Sequence, residues 1–146
     1  MFRTFNTQVG TNKEQSEKLV ALGLDPNTAD LTLTNTGMLY TFPYEETKNF
    51  FISNKSILTN VFECKPSWSI DRLLELMPDS INNKYETFVL SKDEAYYRKF
   101  ETESDGNIYE HFQGSECSFK NRYDALVNLI EWLIKNNLFN NDYLVN

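Results

Sequence analysis

Apolar and polar positions along this chain change period from segment to segment, and the clearest segment runs from Pro66 to Pro78. Within it Ile70, Leu73, Leu74 and Met77 fall at i, i+3, i+4 and i+7, one apolar face of a short helix. Ser69 reads as the N-cap, Asp71 lies in the first turn where the helix dipole favours an anion, and Pro78 stops the run. With Ser69 as cap, Trp68 and Leu73 take the N′ and N4 positions of a hydrophobic staple.

Two further helices follow from pattern. Thr11 with Glu14 reads as a capping box for a helix over 12–22, which Gly23 and the Asp25-Pro26-Asn27 turn would end. Ala125, Leu126, Leu129, Ile130 and Leu133 form a broad stripe that predicts a helix over 122–136, capped by Asn121 and stopped at Asn136-Asn137. Leu31 to Thr34 and Met38 to Phe42 predict a hairpin around Gly37. The apolar runs Asn49 to Ile52 and Ile57 to Phe62 fit either a buried strand or a helix, because periodicity alone does not separate the two at that length.

Tyr85 to Leu90, Ala95 to Thr102 and Ile108 to Gln113 predict an antiparallel meander. Asp105-Gly106 suits a two-residue type I′ turn, which would set Phe100 opposite His111 and Thr102 opposite Tyr109. Tyr96, Phe100, Tyr109 and His111 would then share the core face, leaving Tyr97, Lys99, Glu101, Ile108, Glu110 and Phe112 on the other. The expected architecture is α+β: a small antiparallel meander with about three helices, one domain of two or three layers over residues 1–146. The ends, 1–10 and 138–146, are expected as extended tails, the second able to fold back through Leu138, Phe139, Tyr143 and Leu144.

Composition narrows the function. A 146-residue chain can bury ~70% of its unfolded surface, so no metal or disulfide staple is needed for folding. Cys64 and Cys117 have no CxxC companion, and one histidine, His111, is too few for a Cys/His zinc site. The beginning has no signal-peptide core and no stretch is long enough to cross a bilayer, so a cytoplasmic protein without membrane association is expected. A formal charge of −7 disfavours phosphate backbones and suits a basic partner.

The search for chemistry returns little. His111 reads as a packed strand residue rather than a general base, Asp71 and Glu75 as solvated charges, and the GxxxxGK[ST] and GxGxxG patterns are missing. Lys65 beside Cys64 could lower the thiol's pKa, and Glu63-Cys64-Lys65 is a short ExK triplet of the kind found in nuclease strands. Neither is enough to assign a catalytic, cofactor or metal residue. Tyr96, Arg98 and Phe100 alternate on one strand face, a candidate stacking platform for single-stranded nucleic acid.

Three blocks in order carry a resemblance: Glu14-Gln15-Ser16 leading to Leu22 through Asp30, Pro66 through Pro78, and Ala125-Leu126 through Trp132-Leu133. Together they resemble a family of small uncharacterised proteins encoded by phages, prophages and conjugative elements of anaerobic gut bacteria. The resemblance implies a mobile-element origin and carries no activity. The functional expectation is therefore an accessory protein that binds a host or phage protein without catalysis or cofactor. A homodimer is another use for its exposed aromatics, and weak nucleic-acid binding is the alternative.

Overall fold

The computed structural model describes residues 7–35, 37–53, 64–82, 84–114 and 119–145, with the side chains of 51–53 excepted. Four α-helices and two three-stranded antiparallel sheets are present among them, so the protein is α+β. Contacts group the chain into two compact units, Met1–Glu75 and Leu76–Asn146.

The first unit is built around β1 (Leu31–Thr34), which pairs antiparallel with β2 (Leu39–Tyr40) on one side and β3 (Cys64–Ser67) on the other. All four residues of β1 are buried, as a central strand covered on both faces requires. The expected hairpin forms: Gly37, at φ +84°, donates from its N–H to Thr34 O, and Thr34 N–H reaches Met38 O.

Helix α1 (Lys13–Ala21) starts one residue later than the expected capping box implies. Asn12 is the cap, with Gln15 N–H donating to Asn12 Oδ1 at 2.9 Å and Asn12 N–H donating to Gln15 Oε1 at 3.0 Å. Thr11 is drawn away by tertiary bonds. Its N–H reaches Trp68 O at 2.9 Å, its Oγ1 accepts from Trp68 N–H at 3.1 Å, and Ser67 Oγ donates to its carbonyl at 2.8 Å.

Trp68 is fully buried and its Nε1–H donates to Thr28 Oγ1 at 2.9 Å. Ser69 caps the short helix α3 (Ile70–Leu76) as expected, its Oγ accepting from Arg72 N–H at 3.1 Å. Asp30 fixes that cap from a distant loop, accepting from Ser69 N–H at 2.9 Å and Ser69 Oγ–H at 2.5 Å. Leu73, at the staple position, is fully buried.

The ambiguous run near Phe50 is helical: α2 spans Tyr44–Ser53, which raises the helix count above the expected three. Pro43 precedes it, its carbonyl accepting from Thr47 N–H, and Glu45 and Glu46 occupy the first turn. The run from Ile57 to Phe62, Glu63 of the ExK triplet, and Cys117 lie outside the described residues.

In the second unit, β4 (Thr87–Leu90), β5 (Ala95–Thr102) and β6 (Ile108–Gly114) form the expected meander, with β5 central. Helix α4 (Arg122–Lys135) packs against β5 and β6 through Leu126, Leu129, Ile130 and Leu133, all fully buried. Asn121 Oδ1 accepts from Asp124 N–H at its start, and Asn137, at φ +57°, takes the left-handed conformation after its end. Beyond it Phe139 is buried and meets Tyr143 edge-on at 6.3 Å, and Asn141–Tyr143 form a 3-10 turn.

The register of the meander differs from the expected one. Thr102 pairs with Ile108, Phe100 with Glu110 and Lys99 with His111. The turn is not type I′, because Asp105 does not take positive φ; Gly106, at +82°, does. Gly106 N–H donates to Glu103 O and Glu103 N–H donates to Asn107 O, the pattern of a three-residue loop closed by a bulge. One extra residue in the loop shifts the pairing by one, and a shift of one exchanges faces along β6 relative to β5. The buried face of β5 is that of Ala95 and Tyr97, not the expected one, and Phe100 is exposed.

Candidate functional site

The distal half of the β5–β6 hairpin gathers aromatic, charged and imidazole side chains. Strand alternation and the observed pairing give it two different faces.

On one face Tyr96, Arg98, Phe100 and Thr102 of β5 stand beside Gly114, Phe112, Glu110 and Ile108 of β6. Phe100, Ile108 and Phe112 are 61%, 69% and 53% exposed, a large apolar group for one side of a two-stranded ribbon. Tyr96 and Phe112 pack at 5.7 Å between ring centroids, tilted by 59°. The Arg98 guanidinium carbon lies 5.2 Å from the Phe100 ring centroid, and its Nη1 is 3.9 Å from Glu110 Oε1. Its Nε is buried without a hydrogen-bond partner among the described residues. The three residues expected to form a stacking platform, Tyr96, Arg98 and Phe100, do share a face. Each is already engaged with a neighbour there, and the cation among them is matched by a carboxylate.

The opposite face is polar beyond Tyr97. Lys99 Nζ lies 3.1 Å from Glu101 Oε2 and 5.0 Å from the centroid of the Tyr85 ring. His111 Nε2 lies 2.7 Å from Glu103 Oε1 and 3.9 Å from Glu101 Oε2. The hydrogen bond from Lys99 holds the Glu101 carboxyl below the ordinary carboxylate range. At the loop, Tyr109 OH donates to Asp105 Oδ2 at 2.5 Å and Asn107 N–H to Asp105 Oδ1 at 2.8 Å, which together lower the Asp105 pKa. Glu101, Glu103 and His111 thus converge, their ligating atoms all within 4.8 Å of one another. Sequence reasoning missed this group because the two-residue turn placed His111 beside Phe100. The signal that would have found it is Asp105-Gly106-Asn107, which fits a bulged loop as well as a tight one.

Other candidates resolve into structural roles. Lys65 of the ExK triplet forms an ion pair with Glu17. Burial pushes the Cys64 thiol up, opposite to the activation that a neighbouring lysine would supply. Glu75 pairs with Arg72 at 3.2 Å on the surface of α3. Tyr97 donates its hydroxyl to Pro78 O at 2.5 Å, and burial, with the Asp79 charge adding, raises its phenol pKa. In the first unit Tyr40, Phe42, Glu46, Thr47 and Phe50 line an open apolar cleft of about 500 Å³. No described helix is long and apolar enough to cross a membrane. No family model, curated protein or solved structure matches the chain.

Proposed function

We propose that this chain is a cytoplasmic accessory protein of a phage or mobile element that acts by binding another protein through the apolar face of the β5–β6 hairpin, without catalysis. The observation that carries this reading is the exposure of Phe100, Ile108 and Phe112 side by side on one hydrogen-bonded ribbon. Desolvating such a group yields roughly 25 cal/mol per Å² of apolar surface covered. The hairpin also carries Glu101, Glu103, Asp105 and Glu110, and the chain has a formal charge of −7. A complementary partner is a folded protein with an apolar centre and a basic rim.

The alternative is weak binding of single-stranded nucleic acid, favoured by the placement of Arg98 over the Phe100 ring on the same face as Tyr96. Its electrostatics are adverse. Arg98 faces Glu110, and further carboxylates surround the loop, whereas backbone binding gains its affinity from uncompensated cations.

Fluorescence polarisation with labelled single-stranded DNA at low salt separates the two. Protein docking expects no binding at micromolar protein. Saturable binding that Arg98→Ala or Phe100→Ala abolishes would overturn it in favour of nucleic acid.

A further inference from the structure

We propose that Glu101, Glu103 and His111 form a binding site for one first-row divalent cation of the zinc type on the polar face of the hairpin. The site uses the face opposite the docking residues, so it does not rest on the docking proposal.

The hairpin supplies the convergence. Glu101 and Glu103 are two apart on β5 and its continuation into the loop, so both carboxylates leave the same side. His111 pairs with Lys99 across the ribbon and reaches diagonally toward them. Zinc bonds to carboxylate oxygen and imidazole nitrogen are about 2.0–2.2 Å, which places tetrahedral ligand atoms about 3.4 Å apart. The separations of 2.7 and 3.9 Å from His111 Nε2 bracket that edge. Small rotations of the exposed Glu101 and half-buried Glu103 side chains would equalise them.

The donor set indicates the class of ion. An imidazole suits borderline cations such as zinc, while magnesium and calcium select all-oxygen sites. Three protein ligands leave at least one position for water. Two carboxylates give the site a −2 charge that one divalent ion neutralises. Lys99 meets part of this charge at Glu101, and the Tyr85 ring offers its ammonium another contact when an ion takes its place. The imidazole would bind the ion through the Nε2 lone pair, with its ring proton on Nδ1.

His111 is the only histidine, so its imidazole resonances report on the site without ambiguity. The experiment titrates zinc chloride into the tag-free full chain, stripped of metal, and follows those resonances by long-range proton–nitrogen NMR. The expected result is a saturable one-to-one shift with a Kd below about 100 µM. Loss of groups that merely orient metal ligands weakens binding about 10–100-fold, so Glu101→Gln and Glu103→Gln are each expected to weaken it at least tenfold. The same spectra of the variants check that they remain folded. Resonances that stay unmoved up to about 1 mM zinc would overturn the proposal. So would both glutamine variants binding as tightly as the wild type.

Discussion

Trp68 and Gly114 show how single positions hold each unit together. The buried Trp68 indole relies on Thr28 for its only hydrogen-bonding group, and Thr28 also donates to Asp25 O at 2.7 Å. Thr28→Val keeps the volume but leaves a buried N–H unpaired, and is expected to cost about 1–3 kcal/mol in a denaturant titration. A Cβ on Gly114 would sit 2.4 Å from Leu129 Cδ1, and the residue adopts φ +120°. Gly114→Ala is therefore expected to destabilise by about 1–3 kcal/mol through overpacking under α4. Glu17 gives a pH signature. Its carboxyl is held below the ordinary 4.5, first by the hydrogen bond from Lys65, so its contribution to stability is present above that value. The contribution fades as pH falls through the lower folded-state value. Glu17→Gln should melt below the wild type at neutral pH, and the two should converge in acid.

At the scale of elements, capping shows what local sequence decides and what it does not. Ser69→Ala removes an acceptor for Arg72 N–H and a donor to Asp30, and thermal melts are expected to show a loss of about 1 kcal/mol or more. That cap, the span of α4 and the three strands of the meander were legible, because each rests on neighbours within a few residues. The start of α1 was not fully legible. Thr11 with Glu14 and Asn12 with Gln15 are both acceptable boxes, and the choice is made by Trp68, 57 residues away. Helix α2 could have been found from Pro43, Glu45 and Glu46, although the aromatic run after them obscured its period. The grouping of side chains across the hairpin was lost to one residue: Asp105-Gly106 is compatible with two loop lengths, and the longer one puts Phe100 and His111 on opposite faces. The aromatic–basic alternation along β5 was readable within a single strand. The Glu101, Glu103 and His111 group depends on cross-strand register, so it was not.

For the molecule as a whole, the proposal of protein docking concerns one face of the hairpin, and the formal charge of −7 is what suits a partner with a basic rim. Phe100 and Ile108 are largely exposed, so polar replacements at these two positions should leave stability within about 0.5 kcal/mol while removing binding. Phe42, equally exposed in the first unit, provides a control of the same chemistry. The most direct measurement is quantitative affinity capture from a lysate of the native host with three baits: wild type, Phe100→Ser with Ile108→Ser, and Phe42→Ser. The expected result is one stoichiometric protein with a basic surface, retained by the wild type and by Phe42→Ser and lost with the double variant. Recovery of the bait alone in every case, or the same partner on the double variant at wild-type yield, would contradict it.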